Sequence, residues 1–197
     1  LACSHARPAR APTDATLVPL SSGDRTPAGA DRALLVQGDM RHVALRDAAF
    51  DGVTHFFTAF GYFDRDEENL GVFHEVARVL RPGGWYLLDF LNAASVLREF
   101  ERQDAIATTE SPAPGVEVRS VRTLTTGRLR VQKAIEVVRD GRRVQSVTES
   151  VRLFAPTELR AGLSRAGLRV EQEWGDYGGE AFSASKSPRW LALSRRM

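Results

Sequence analysis

The feature of the sequence that most constrains the fold is a strand–helix–strand pattern in the first half of the chain. Short apolar runs at residues 33–37, 52–58 and 85–91 have the length and composition of buried strands, and apolar residues recur at helical spacing over residues 70–80. Residues 81–84 then read Arg-Pro-Gly-Gly, in which proline blocks helix continuation and glycine permits positive φ. Strands joined by a crossover helix lie parallel. The pattern predicts an α/β fold with residues 33–37 as its first parallel strand.

Boundary signals predict where the first helix begins and where the sheet changes character. Asp64 and Glu67, three residues apart, predict a capping box at the start of that helix. Residues 116–153 alternate between apolar and polar side chains, which is typical of antiparallel strands, and Asp140-Gly141 is a strong hairpin-turn signal. We therefore expect an antiparallel segment to follow the parallel strands.

The end of the chain is predicted to contain one more helix and a strand pair. Pro156 is at the first position of this helix, and Gly167 ends it. Residues 169–174 and 190–194 are the last two predicted strands.

Composition excludes several classes of protein. The 197 residues include 27 Lys plus Arg and 25 Asp plus Glu, for a net charge of +2 without a basic face, so nucleic-acid binding is not expected. Cys3 is the single cysteine, which excludes a disulfide framework within the chain and favours a reducing, cytoplasmic setting. No apolar run approaches the roughly 18 residues of a membrane span. His42, His55 and His74 lack the spacing of metal ligands. We therefore expect a cytoplasmic domain without a metal, and its oligomeric state stays open.

The residues that follow each predicted parallel strand are the candidates for ligand binding, because open parallel sheets bind ligands at the carboxyl ends of their strands. These segments are Gly38-Asp39-Met40-Arg41, the run from Thr58 to Phe63, and the run from Asp89 to Asn92. A site at this edge would combine carboxylate, amide and aromatic groups.

These segments, in this order and spacing, resemble a known family. Gly38-Asp39-Met40-Arg41, then Phe50-Asp51-Gly52-Val53 leading into residues 57–63, then Arg78 to Gly84 and Leu88-Asp89, look like class I S-adenosylmethionine-dependent methyltransferases of the small-molecule type. The resemblance covers residues 34–92. It implies S-adenosylmethionine as the cofactor and a small molecule, methylated on a nitrogen or oxygen atom, as the acceptor.

The second half of the chain is similar to one branch of that family, in which antiparallel strands are inserted after the fifth strand of the sheet. The similar segments are Pro156 to Leu159, Ala166 to Leu168, Gly175-Asp176-Tyr177 and Ser187-Pro188-Arg189. In that branch these places hold the last helix and a final antiparallel hairpin. The resemblance therefore implies a Rossmann-like methyltransferase sheet with inserted strands at about residues 116–154.

The resemblance also implies residues that contact the cofactor. Asp39 matches the acidic residue that accepts a hydrogen bond from the adenine amino group, and Met40 matches the residue that covers the adenine ring. With these two we place Gly38, Phe57 and Thr58 as cofactor-binding residues. The alternative for Gly38-Asp39 is an ordinary turn at the end of a strand.

Phe60 and Tyr62 are the candidate catalytic residues. An electron-rich ring beside a sulfonium is favourable by cation–π attraction, worth about 0.5–2 kcal/mol, and either ring could supply it. The alternative is that both rings only fill the core. Methyl transfer to an already nucleophilic acceptor depends mainly on positioning and exclusion of water, so the reaction needs no dedicated base.

The beginning of the chain departs from the family. There, the first strand ends in an acidic residue before a G-x-G-x-G loop, and the second strand ends in an acidic residue that binds the ribose. Neither motif occurs in residues 1–30, where the only glycines are Gly23 and Gly29. We expect the family's first strands to be missing, with residues 1–31 poorly ordered or translated out of frame and residues 32–197 forming the domain. Methyl transfer would then be impaired.

Two other classes of function stay open at this point. The chain could be a methyltransferase remnant without catalysis, stable only when a partner covers its open sheet. It could also be a nucleotide-binding domain of the dehydrogenase type, although the aromatic segment at residues 57–63 and the C-terminal hairpin argue against that class.

Overall fold

A computed structural model of the chain describes residues 16–19, 34–125, 127 and 129–197. The predicted α/β class is confirmed, with ten strands and three helices in this part of the chain. The strands are β1 (Thr16–Pro19), β2 (Leu34–Gln37), β3 (Phe50–His55), β4 (Leu80–Leu91), β5 (Ala105–Ala113), β6 (Val116–Thr125), β7 (Arg130–Arg139), β8 (Arg142–Arg152), β9 (Leu168–Trp174) and β10 (Arg189–Arg196). The helices are α1 (Asp66–Val79), α2 (Ala93–Phe100) and α3 (Pro156–Arg165).

The central sheet has the strand order β3-β4-β10-β9. β3 and β4 are parallel and connected by α1, with His55 opposite Leu88, as the strand–helix–strand pattern predicts. β10 runs antiparallel to both β4 and β9, which gives the predicted C-terminal hairpin. Its first residue, Arg189, is opposite Leu91, so the beginning of β10 lies beside the carboxyl end of β4.

The first predicted strand does not join this sheet. Residues 34–37 pair antiparallel with β1 in a separate two-stranded sheet, so the prediction that they form a parallel strand is wrong. Within the described residues β3 pairs with β4 only, so one edge of β3 is free. β2 does not pair with that edge, and its hydrogen bonds go to β1 instead. The prediction that residues 1–31 are poorly ordered concerns residues that lie outside the described part of the chain, except for the four residues of β1.

Helix α1 begins one residue later than the sequence predicts. The proposed capping box with Asp64 is not formed, because Arg65 is the N-cap and no side chain caps the helix there. The Asn69 side chain instead accepts a hydrogen bond from the Phe63 amide at 3.0 Å and donates to the Phe63 carbonyl at 2.8 Å. Asn69 is fully buried, so it fixes the loop between β3 and α1 from within.

The core lies between the central sheet and helices α1 and α3. The rings of Phe60 and Phe73 stack with their centroids 4.6 Å apart, and Phe90 and Phe154 pack around them. Helix α3 contributes its buried leucines, and its Gly162 lies so close to Leu70 that a Cβ atom there would be 2.8 Å from that side chain. A larger residue at position 162 would therefore force the Leu70 side chain to move where the two helices approach.

Strands β5 to β8 form a second, antiparallel four-stranded sheet in sequence order. The turn predicted at Asp140-Gly141 connects β7 and β8, with φ values of 48° and 76°, as a two-residue hairpin turn requires. The inserted strands begin at Ala105 rather than at 116. β5 escaped prediction because it is an exposed edge strand: only Ile106 along it is buried, so it lacks the alternation that marks the other strands.

Candidate functional site

A buried carboxylate lies at the carboxyl ends of the two parallel strands. Asp89, near the end of β4, is fully buried and accepts three hydrogen bonds from distant parts of the chain. The Phe57 amide donates at 2.7 Å, the Tyr177 hydroxyl donates at 2.6 Å, and the Arg189 guanidinium donates to the other carboxylate oxygen. Asp89 therefore joins the loop after β3, the loop after β9 and the start of β10 at one point.

Arg189 neutralises this carboxylate. Its guanidinium forms the ion pair with Asp89, donates to the Thr58 hydroxyl at 3.0 Å and lies 5.6 Å from the centre of the Tyr177 ring. An unpaired charge inside a protein is costly, and removal of one partner leaves the other uncompensated. The pair therefore fixes the position of the groups around it. Because each of its oxygens is already engaged by donors, Asp89 is a poor candidate for a general base.

The two residues directly after β3 have an unusual backbone. Phe57 and Thr58 have φ values of 56° and 62°, in the left-handed region that side chains with a Cβ rarely adopt. Each such residue costs about 1–3 kcal/mol, and this conformation persists only where surrounding contacts hold the residue in place. Here Asp89 holds the Phe57 amide and Arg189 holds the Thr58 hydroxyl. The consequence is that the Phe57 ring projects outward and is 80% exposed.

Tyr177 lies beside Phe57, with the two ring centroids 6.4 Å apart. The residue is 57% exposed, while its hydroxyl points inward to Asp89. Burial and the hydrogen bond to Asp89 raise the pKa of the Tyr177 phenol above its ordinary value of 10.0. The phenol therefore keeps its proton near neutral pH and does not act as a base there.

The loop that presents Tyr177, residues 175–188, is anchored at both ends. The Gly175 carbonyl accepts a hydrogen bond from the Arg189 amide, at the start of β10, at 3.1 Å. The buried Asn92 side chain, just after β4, donates to the carbonyls of Ala184 at 3.0 Å and Ser187 at 2.7 Å. These bonds tie the loop to the same sheet edge that carries Asp89.

The turn after β2 forms a second polar group. Arg41 donates to Asp39 through its backbone amide and its side chain, at 2.6–3.1 Å, and also contacts Glu68 on α1. The hydrogen bond from the Arg41 side chain lowers the pKa of Asp39 below its ordinary 3.8, so the carboxylate is ionised at neutral pH. The Arg41 guanidinium also lies 4.6 Å from the centre of the Phe63 ring. The turn is thereby attached to the loop between β3 and α1.

A cavity of about 210 Å³ opens between this turn, β3 and α1. Met40 contributes to its wall, together with mostly apolar side chains such as Val53 and Val76. His55 also lines it, is almost fully buried, and has its Nδ1 2.7 Å from the Tyr86 hydroxyl. Burial lowers the pKa of His55 to about 4, so the imidazole is neutral at physiological pH.

The candidate residues predicted from sequence divide into two groups. Phe57 and Thr58 lie beside Asp89, whereas Asp39 and Met40 lie at the turn beside the cavity, and the space around Gly38 is open. Phe60 is 1% exposed and stacked within the core, and Tyr62 is half-buried against the same core. The packing alternative for Phe60 is therefore favoured, and a catalytic role for Tyr62 stays a prediction.

Tyr177 and Arg189 were not selected as site residues from the sequence, and Asp89 was indicated only as part of the strand-end run from Asp89 to Asn92. All three belong to segments that the family resemblance contains, and that was the available signal. No group of three or more potential metal ligands occurs in the part of the chain that the structure describes. In the same part, no helix is both long enough and apolar enough to cross a membrane.

Comparison with known proteins agrees with this fold. Residues 13–88 match a family model described as a methyltransferase domain. The CcbJ methyltransferase from Streptomyces caelestis has a similar structure, with a TM-score of 0.67 and 18% sequence identity over 82% of this chain. A sugar N-methyltransferase from Streptoalloteichus sp. gives a TM-score of 0.56 at 19% identity over 81% of the chain. The chain is thus similar to methyltransferases, in the segment that matches the family model and in the fold that it shares with these solved structures.

A more specific relative is the cypemycin N-terminal methyltransferase of Streptomyces sp., which is 28% identical over 162 residues. That match covers 82% of this chain and 64% of the relative, and the CcbJ match covers 62% of that protein. The chain thus spans somewhat less than two thirds of the length of these proteins.

Proposed function

We propose that the protein transfers a methyl group from S-adenosylmethionine to an amine nitrogen of a small molecule or peptide. The observation that carries the proposal is the match of residues 13–88 to a methyltransferase domain, since this segment contains both polar strand ends, at Asp39 and at Phe57-Thr58. The choice of nitrogen over oxygen is supported by the names of two similar proteins, an N-terminal methyltransferase and a sugar N-methyltransferase.

The turn after β2 is suited to the adenine end of the cofactor. A carboxylate has about four lone-pair positions, so Asp39 can accept a further hydrogen bond, from an adenine amino group, beside those from Arg41. Met40 and the apolar cavity of about 210 Å³ next to it offer a surface for a flat aromatic ring. These residues would hold the cofactor from one side.

The residues around Asp89 are suited to the acceptor. When held beside Asp39 and Met40, the cofactor would supply a methyl group on a positively charged sulfur to the nitrogen lone pair of the acceptor; the C–S electron pair would stay on sulfur, and the extra proton on nitrogen would pass to water. The exposed rings of Phe57 and Tyr177 can line the acceptor and exclude water from it. Since both oxygens of Asp89 are engaged by donors and the Tyr177 phenol keeps its proton near neutral pH, their contribution is to orient the acceptor.

Methyl transfer is tested with the 197-residue protein, methyl-labelled S-adenosylmethionine and two matched pairs of acceptors. The pairs are a short peptide with a free amino terminus against its acetylated form, and glucosamine against glucose. We expect label on the free amines only, and heat of binding for S-adenosylhomocysteine in titration calorimetry. No binding at millimolar S-adenosylhomocysteine, or label only on hydroxyl groups, would contradict the proposal.

A second candidate is a non-catalytic methyltransferase remnant that needs a partner. It is favoured by one specific observation, that within the described residues β3 pairs with a strand on one side only. Free strand edges promote pairing with other chains. Circular dichroism of the isolated monomer separates the candidates: a sharp, cooperative thermal transition supports an independent domain, whereas a gradual one supports the partner-dependent remnant.

A further inference from the structure

Tyr177 stands out because its hydroxyl is directed inward while its ring is open to solvent. The hydroxyl donates to the buried Asp89 at 2.6 Å, and 57% of the residue is exposed. A phenol has one hydrogen to donate and two lone pairs with which to accept. Since its single hydrogen is committed to Asp89, Tyr177 can bind a ligand at its oxygen only by accepting a hydrogen bond.

The direction of that hydrogen bond is fixed by its surroundings. Asp89 is held by Arg189 and by the Phe57 amide, so its carboxylate cannot turn away from the phenol. The raised pKa of Tyr177 keeps the hydrogen on the phenol. A hydrogen bond to a charged acceptor polarises the donor hydroxyl, which makes the phenol oxygen a better acceptor for the next group in the chain.

The position of the oxygen is as well defined as its polarity. The loop at residues 175–188 is tied to the end of β4 by Asn92, and its first carbonyl, that of Gly175, is tied to the Arg189 amide of β10. The exposed Phe57 ring lies 6.4 Å from the Tyr177 ring and provides an apolar wall at the same edge. The site therefore combines one hydrogen-bond acceptor with two aromatic surfaces.

We propose that Tyr177 positions the acceptor amine by accepting an N–H hydrogen bond at its phenol oxygen, while Phe57 contacts the body of the same molecule. This inference rests on the proposed function, since it assigns the acceptor-binding half of that site. The ligand class it selects is an amine with at least one N–H and an apolar group next to it. Asp89 and Arg189 are positioning residues, which act through Tyr177 and not on the ligand.

The test uses benzylamine as the probe and benzyltrimethylammonium as its matched control. Both carry one positive charge and one ring at pH 7.5, but only benzylamine has N–H groups. The protein is labelled with ¹³C at the ζ carbon of tyrosine and observed by NMR, which gives three signals because the chain has three tyrosines. Tyr177→Phe assigns the signal of interest, and the fully buried Tyr86 is an internal control.

We expect benzylamine to shift the Tyr177 signal to saturation while the Tyr86 signal stays constant. Benzyltrimethylammonium should bind about tenfold more weakly, because it cannot donate the hydrogen bond. Tyr177→Phe keeps the ring, and in calorimetry it should lose a similar factor in affinity for benzylamine. Circular dichroism checks that this variant is folded.

The proposal is overturned if benzylamine leaves the Tyr177 signal unchanged, if the control binds equally well, or if Tyr177→Phe binds benzylamine with wild-type affinity. These results are distinct from a failure of the proposed function. If the proposed function is wrong, S-adenosylhomocysteine does not bind in calorimetry, whether or not benzylamine shifts the Tyr177 signal.

Discussion

The two halves of the candidate site are both organised around an aspartate and an arginine, but in different environments. The Asp89 side chain is fully buried and its partner Arg189 is 20% exposed, whereas Asp39 and Arg41 are 22% and 36% exposed. The buried carboxylate binds three separate segments of the chain, while Asp39 is bonded mainly to a residue two positions away. We infer that the buried pair fixes the geometry of the loops around it, whereas the more exposed pair is accessible to a ligand.

The largest effect should come from removing the charge of Asp89. Asp89→Asn leaves the Arg189 guanidinium without its counter-charge, and breaking a buried pair in this way typically costs about 3–5 kcal/mol. We expect a loss of that size in the free energy of unfolding, measured by urea titration. Asp51→Asn is the matched control, since Asp51 forms an exposed pair with Arg81 and should change stability by less than about 1 kcal/mol. If the two substitutions lowered the free energy of unfolding equally, the claim that the buried pair contributes more than an exposed pair would be wrong.

The next effect should come from His55, which lines the cavity beside Met40 and should make the folded protein sensitive to mild acid. Its pKa is about 4 in the folded protein against an ordinary 6.5, so the unfolded chain binds a proton first. Stability should therefore fall as the pH drops from about 6.5 to 4, by about 3 kcal/mol from this residue. His55→Gln should flatten the pH dependence of unfolding over this range, and His74→Gln, an exposed control, should not. Asp39, beside the same cavity, differs from His55, because its lowered pKa confines its own contribution to the loss of stability to pH values below about 3.8.

The smallest effect on stability should come from Asp39. Asp39→Ala removes a partly exposed ion pair, and such pairs are worth about 1 kcal/mol or less. Urea titration of this variant should give a free energy of unfolding close to that of the wild type. A loss comparable to that of Asp89→Asn would mean that the turn after β2 is a structural element and not an accessible ligand-binding group.

The strand–helix–strand unit, helix α3 and the final hairpin were predictable because their signals are local. Apolar spacing identifies α1, and Pro156 and Gly167 mark the ends of α3. The pairing of β2 was not predictable from its own residues, since a short apolar run reads the same whether its partner is parallel or antiparallel. Strand β5 was missed because an exposed edge strand lacks the alternation that prediction uses.

The centre of the site was harder to predict than the fold. Asp89 is separated from Tyr177 by 88 residues and from Arg189 by 100, and only the pairing of β10 with β4 brings them together. Phe60 shows the opposite difficulty, because an aromatic residue after a strand can face either a ligand or the core. The structure places it in the core, where its ring stacks on Phe73.

The measurement that tests the division of the site most directly is calorimetric titration of S-adenosylhomocysteine into the wild type, Asp39→Ala and Tyr177→Phe. We predict that S-adenosylhomocysteine binds to the wild type and binds about tenfold more weakly to Asp39→Ala, because this variant loses a charged hydrogen bond. The affinity of Tyr177→Phe should equal that of the wild type. Equal weakening by both variants, or wild-type affinity in Asp39→Ala, would contradict the assignment of the cofactor to one half and the acceptor to the other.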